Sequence, residues 1–248
     1  MKKDFIDLPN DYWQDLVVRM AHHSTAIEGN TLTLGETKSI LIDNIIPRQM
    51  NRREYYEVCN YEGYIEWLHE NIATPIDLSV IKKTQGFLLK HIRSDAGEFK
   101  KTENIILGAS FLPSHPYQVI EHLQNWIENQ KYRLTNATTN DEKIQAIMEQ
   151  HLQFEKIHPF PDGNGRTGRA LIVHSCLKEG IAPIVIEKEQ REDYINLLNT
   201  ENREGLFKLG KNLHEKENKR LQIILNMQQE KKRSPLEISK PSGKSLER

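Results

Sequence analysis

The sequence predicts an all-α fold with one small β-hairpin inserted, and three observations carry that expectation. Apolar residues recur at helical spacing through most of the 248 residues. One stretch, 97–112, breaks that period: GEFKKTENIILGASFL opens on Gly97 and sets Ile105, Ile106 and Leu107 before Gly108, short β-favouring pieces between turn residues. No internal repeat occurs, and no composition shift divides the chain into two comparable domains.

The elements follow in order. The first helix is expected over 12–25, where Trp13, Leu16, Val17 and Met20 share one face. A short one over 36–44 precedes a longer one over 53–71. Asp77 has the side chain of an N-cap for a helix over 77–90, and Pro116 suits the opening turn of one over 116–129. The segment 141–157 is periodic through Ile144, Ile147, Met148, Leu152 and Ile157. Further helices are expected over 167–179, 189–201 and 204–229. From Lys231 onward the chain is polar and carries Pro, Ser and Gly, so 231–248 reads as a disordered tail. The organisation is then an N-terminal region 1–50, a core 51–230 and that tail.

Composition narrows the function. Hydrophobic residues make up 37% and charged residues 28%, which supports a packed core under a solvated surface. The formal net charge of -1 gives no global attraction to nucleic acid or anionic lipid, so anion binding must be local. No nucleic-acid partner is expected. Asp4 and Asp7 interrupt the N-terminal apolar residues, which argues against a signal peptide, and no run reaches the ~18 apolar residues of a membrane span. The expected compartment is the cytoplasm, with no membrane partner. Cys59 and Cys176 form no CxxC and read as reduced thiols.

The chemistry concentrates in His158-Pro159-Phe160-Pro161-Asp162-Gly163-Asn164-Gly165-Arg166-Thr167-Gly168-Arg169, a loop feeding a helix start. Glycines on both sides of Asn164 let backbone N–H groups converge, and the helix start adds unpaired donors. That makes a cradle suited to diphosphate. Arg166 and Arg169, three apart, fall on one side of the first turn and can grip phosphate oxygens. Asp162 is the carboxylate at the rim, placed to hold a Mg²⁺ that bridges phosphates. His158, with an ordinary pKa of about 6.5, suits proton abstraction from a hydroxyl. A GNG tripeptide alone is commonly a turn, and a histidine before proline is commonly filler. Their succession within twelve residues makes a site.

HPFPDGNGRTGR matches the Fic signature, His-x-Phe-x-Asp/Glu-Gly-Asn-Gly-Arg-x-x-Arg, at every fixed position, and the chain resembles that family over roughly residues 20–215. The resemblance implies a Fic-type helical bundle whose central helix pair flanks the loop. It also implies transfer of AMP from ATP-Mg²⁺ to a Ser, Thr or Tyr hydroxyl of a protein. By the same resemblance His158 is the general base, Phe160 anchors the loop in the core and Asp162 binds Mg²⁺. Gly163, Asn164 and Gly165 form the anion hole, Asn164 also steadying charge on the α-phosphate. Arg166 would hold the β-phosphate and Arg169 the γ-phosphate. The kinase-like Doc branch differs at the second glycine of the loop, which this chain keeps as Gly165. Transfer of UMP or phosphocholine stays open on the loop alone.

A second segment bears on control. Ser24 and Glu28 are four apart, on one helical face, and Gly29 is a natural C′ residue. Ser24-Thr25-Ala26-Ile27-Glu28-Gly29 resembles the family's inhibitory motif, Ser/Thr-x-x-x-Glu-Gly/Asn. The resemblance implies that Glu28 competes with the γ-phosphate for Arg169 and holds activity low; in some relatives the same glutamate supports deAMPylation, which stays open. Tyr194, Leu198 and Asn202, at i, i+4 and i+8, would by resemblance border the adenine. The hairpin 97–112 resembles the flap that docks the protein substrate by strand addition, although Lys100 and Lys101 stand where arginine is frequent. A homodimer is left open. A nucleotide-binding regulator without catalysis competes with the enzyme reading, but it has no need of a general base such as His158. A DNA-binding regulator has only the short basic tail in its favour.

Overall fold

The computed structural model describes residues 8–105 and 111–233, and all regular structure among them is helical. The helices start where the sequence supplies caps. α1 (Asn10–Ile27) buries Tyr12, Leu16 and Met20, and Gly29 follows its end at φ 102° as the expected C′ residue. α2 (Leu34–Leu41) begins two residues before the expected start, because Thr33 and Glu36 form a capping box. The Thr33 hydroxyl accepts from the Glu36 N–H at 3.2 Å, and the Glu36 carboxylate accepts from the Thr33 N–H at 2.8 Å. α3 (Arg52–Glu70) is capped by Asn51, and α4 (Leu78–Leu88) by Asp77, whose carboxylate accepts from the Val80 N–H at 2.8 Å.

A single 3₁₀ turn, Pro116–Gln118, leads into α5 (Val119–Asn136). α6 (Asn140–Ile157) has its own capping box from Thr139 and Glu142. α7 (Asn164–Lys178), α8 (Arg191–Asn199) and α9 (Arg203–Arg233) complete the order. α9 carries helix through 231–233, which the sequence assigns to the tail; the rest of that tail, 234–248, lies outside the described residues. The tip of the expected hairpin, 106–110, also lies outside them. Its described flanks form no strand; they are irregular chain, tied to the loop before α7 by the Lys100 N–H donating to the Pro159 carbonyl at 2.9 Å.

α6 and α7 lie side by side at the centre. On one side Phe154, Phe160, Ala170 and Leu171 join the buried faces of α1, α3, α4 and α5 in a large core. On the other, Met148, Leu152, Ile172 and Cys176 pack with Tyr194, Leu198 and Leu206 from α8 and α9. Each fully buried aliphatic or aromatic side chain contributes about 1.5–3 kcal/mol. Leu16→Ala, at a fully buried position, would cost about 2–5 kcal/mol.

α1 is fixed to this body by more than apolar contact. Glu217 of α9 is buried and accepts hydrogen bonds from the Tyr12 hydroxyl at 2.7 Å and from both Nη atoms of Arg19, at 2.8 and 2.9 Å. A buried carboxylate so fully paired resists separation, because removing any partner leaves an uncompensated charge. The far end of α1, carrying Ser24 and Glu28, is thereby aimed at the start of α7.

Candidate active site

The site is built at the junction of α6 and α7. His158 closes α6 in the left-handed region, at φ 49° and ψ 59°, with its N–H donating to the Phe154 carbonyl at 3.0 Å. A non-glycine residue there is held against its own preference by its surroundings. The chain then turns through Pro159 to Gly163. Phe160 is fully buried against Phe99, as the sequence predicts. Gln85 of α4 donates to the Asp162 carbonyl at 3.1 Å, fastening the loop from below. Gly163 sits at φ 80°, where a Cβ would run into the Leu89 side chain.

The Asn164 side chain is turned into the loop. Its Oδ1 accepts from the Phe160 N–H and its Nδ2 donates to the Phe160 carbonyl, both at 2.8 Å, in a side chain only 2% exposed. The carboxamide pairs with the backbone as one peptide group pairs with another. Those two bonds close the loop and use one of the two Nδ2 hydrogens, and unpaired backbone N–H groups stand at the α7 start. There the first intrahelical bond runs from the Thr167 N–H to the Gly163 carbonyl, so α7 offers no acceptor to Gly165 and Arg166. A side chain at Gly165 would displace the latch: a Cβ would lie 2.6 Å from Glu28 Oε1 and 2.9 Å from Arg169 Nη1.

Both arginines of the loop are buried, and each is paired with carboxylates instead of standing open on one side of the turn. Arg166 donates from Nη1 to Glu57 Oε1 at 2.9 Å and from Nη2 to Asp162 Oδ1 at 3.1 Å. Arg169 donates from Nε to the Ser24 hydroxyl at 2.9 Å, and from Nη2 to the Ser24 carbonyl at 3.0 Å and Glu28 Oε1 at 2.6 Å. Arg169 is 5% exposed, whereas the Glu28 side chain is 38% exposed. Glu28 therefore covers the site from its mouth.

The electrostatics follow from these pairs. Burial works to raise the Glu28 carboxyl, but the charge and hydrogen bond of Arg169 outweigh it and hold the group ionised below its ordinary range. Burial likewise opposes the charge on Arg169, and Glu28 reverses that, raising Arg169. Asp162 is kept low by Arg166 and Arg53 against the pull of its own burial. Burial, then the Lys100 ammonium, pushes His158 down to about 4, so the imidazole is neutral at pH 7. Its Nδ1 is buried without a hydrogen bond of good geometry, which leaves Nε2 as the open nitrogen. Behind the loop, burial raises Glu155 to about 7 and lowers His151 to about 3.

Three predicted residues do not line an open pocket. Tyr194 is fully buried: its hydroxyl lies 2.7 Å from His151 Nε2, and Arg169 lies over its ring at 6.0 Å. Leu198 is core. α8 ends at Asn199, so Asn202 does not share their helix; it is exposed, and its Oδ1 accepts from the Gly205 N–H at 2.8 Å at the start of α9. Conversely, the fold brings Arg53, Glu57 and Asn30 to the loop. Arg53 donates to Asp162 Oδ2 at 2.9 Å and to Glu57 Oε1 at 3.0 Å, and Asn30 donates to Glu57 Oε2 at 3.1 Å. The one local signal was the i, i+4 spacing of Arg53 and Glu57, which ordinarily means a surface pair.

No group of three or more His, Cys, Asp or Glu side chains is disposed to hold a metal among the described residues. Asp162, half-buried and ionised at the rim, fits Mg²⁺ by a different logic, since that ion takes one or two carboxylates and draws its other ligands from phosphates and water.

A glycine-bearing loop between two packed helices, with a neutral histidine before it and an arginine–carboxylate latch over it, lies at a helix N-terminus, where backbone donors and the helix dipole favour anions. The chain matches the Fic/DOC family model over residues 75–176. It is 27% identical over 187 residues to the protein adenylyltransferase Fic of Drosophila melanogaster, and 28% over 192 residues to protein adenylyltransferase fic-1 of Caenorhabditis elegans. Each alignment takes in 73% of this chain and 36% of the relative, so the chain spans little more than a third of their length. A solved Fic-1 chain from C. elegans superposes with a TM-score of 0.72 at 23% identity, covering 91% of this chain and 68% of that one. A Fic domain containing signaling protein from Bacteroides thetaiotaomicron gives 0.69 at 20% identity, covering 84% and 91%. These likenesses show the fold. No helix among the described residues is long and apolar enough to cross a membrane.

Proposed function

We propose that the protein is an autoinhibited protein adenylyltransferase, moving AMP from ATP to a Ser, Thr or Tyr hydroxyl of a target protein. The observation that carries this reading is the Glu28–Arg169 contact of 2.6 Å over the N-terminus of α7, one loop away from His158. An anionic side chain occupies the guanidinium that an outer phosphate would need. The names of the relatives point the same way.

In this reading the triphosphate lies on the α7 start, where the helix dipole and the N–H groups of Gly165 and Arg166 favour negative charge. Asp162 would hold Mg²⁺, which shields charge on the phosphates when bound. Arg166, locked to Glu57, fixes the Asp162 carboxylate in place. Arg169 takes the γ-phosphate once Glu28 withdraws. The acceptor hydroxyl gives its proton to His158 Nε2, its oxygen bonds to the α-phosphorus, and the bond to the β-phosphate oxygen breaks to release pyrophosphate. Neutral His158 can take that proton at pH 7, and the charge the loop places around the α-phosphorus supplies the rest. The protein substrate would dock beside the 97–112 segment, whose base is tied to this loop.

The test is to incubate the Glu28→Gly chain with ATP and Mg²⁺ and look by intact mass for AMP units on itself and on added host-lysate proteins. The reading expects addition that disappears in Glu28→Gly/His158→Ala while ATP binding persists. Equal addition with and without His158 would refute it.

A further inference from the structure

The carboxylate cluster beside the loop has one replaceable donor. Its four oxygens are Glu57 Oε1 and Oε2 and Asp162 Oδ1 and Oδ2. Glu57 Oε1 is held by Arg166 at 2.9 Å as well as by Arg53, and Oε2 by Asn30 at 3.1 Å. Asp162 Oδ1 takes the Gly163 N–H at 2.6 Å and Arg166 at 3.1 Å. Among the described residues, Asp162 Oδ2 is bound by Arg53 alone, at 2.9 Å. The donors differ in mobility. The Arg166 side chain is 2% exposed, and the Gly163 donor is backbone, so neither can withdraw. The Arg53 side chain is 53% exposed and can release its guanidinium into water at small cost.

We propose that Arg53 is the resident counter-cation of the metal position: it holds Asp162 Oδ2 in the resting chain and yields that oxygen to the divalent cation arriving with the nucleotide. The proposal rests on the metal–nucleotide reading above and adds a second latch to it. Glu28 guards the phosphate end of the site from α1, and Arg53 guards the metal end from α3. The two are linked through Asn30, which lies just beyond Glu28 and donates to the same Glu57 that Arg53 contacts.

Arg53 acts here as a positioning residue, and the test reads metal binding directly. Mn²⁺ is titrated into the full chain with a non-hydrolysable ATP analogue, and free ion is measured by electron paramagnetic resonance. An exposed ion pair is worth about 0.2–1 kcal/mol, so Arg53→Gln is expected to tighten Mn²⁺ about 1.4- to fivefold. Arg53→Lys keeps the charge but cannot span both carboxylates, and should fall between. Asp162→Asn should abolish binding in either background, and thermal melting without metal verifies folding. Unchanged or weaker Mn²⁺ binding in Arg53→Gln overturns the proposal, weaker binding making Arg53 a phosphate ligand instead. No Mn²⁺ binding in either chain overturns it as well. AMP transfer is scored separately on Glu28→Gly, so tightening without transfer would sink the enzymatic reading and leave the Arg53 assignment standing.

Discussion

Replacing Glu28 with Gly should strengthen nucleotide binding by an amount the structure allows one to bracket. On the proposed reading, the γ-phosphate displaces the Glu28 carboxylate from Arg169 in the resting chain, across a contact of 2.6 Å. Breaking a fully buried pair costs about 3–5 kcal/mol, whereas an exposed pair is worth about 0.2–1 kcal/mol. Arg169 is 5% exposed but the Glu28 side chain is 38% exposed, which places this pair between those limits, at roughly 1–3 kcal/mol. With 1.4 kcal/mol per factor of ten, the dissociation constant of an ATP analogue should fall about 5- to 150-fold. Isothermal calorimetry with a non-hydrolysable analogue and Mg²⁺ measures it. Glu28→Gln retains an acceptor for Arg169 and should give a smaller gain. The unliganded Glu28→Gly chain should also melt a few degrees lower, because Arg169 keeps only its bonds to Ser24, and nucleotide should recover the loss. An affinity unchanged within about twofold would refute the competition.

Three further outcomes are expected. Asn164→Asp places an acceptor against the Phe160 carbonyl where Nδ2 now donates, so it should cost about 1–3 kcal/mol by chemical denaturation and abolish transfer through loss of loop shape. Tyr194→Phe strands His151 Nε2 in the core and should lower stability by about 1–3 kcal/mol while leaving nucleotide affinity within about twofold, since Tyr194 has no exposed surface. Acid should destabilise the fold below neutrality. Burial holds His23, His158 and His174 down at about 4 and His151 at about 3, so between pH 6.5 and 4.5 the unfolded chain binds their protons and the native one does not. Glu155, raised to about 7, works in the opposite sense, its contribution fading as pH rises through that value. Near pH 5.5 the balance is about three protons taken up on unfolding, a slope of roughly 4 kcal/mol per pH unit, measurable by denaturation across that range.

Which parts of this molecule were legible in its sequence follows from how local their causes are. Asp77 caps α4 and Gly29 follows α1 as expected, because capping depends on residues a few positions apart. The loop residues from His158 to Arg169 stand together for the same reason. The α2 start was missed although Thr33 and Glu36 announce it locally. Tyr194, Leu198 and Asn202 misled because helical spacing was extended past the end of α8; Glu201, at φ 49°, lies in the turn that separates it from α9. The bonds of the Asn164 amide to the Phe160 backbone are not legible, since nothing in its neighbours shows them. Arg53 and Glu57 lie more than a hundred residues from Asp162 and Arg166, so only the packed fold joins them.

The central claim is that this site transfers AMP and not a terminal phosphate, and the position of a label in ATP tests it most directly. Glu28→Gly is incubated in parallel with ATP labelled at the α- or the γ-phosphorus, with Mg²⁺ and host-lysate proteins, and label retained on protein is counted. Protein labelled from the α-position alone, and unlabelled when His158 is Ala, is the predicted result. Label arriving from the γ-position would contradict it, placing the triphosphate the other way round on the α7 N-terminus.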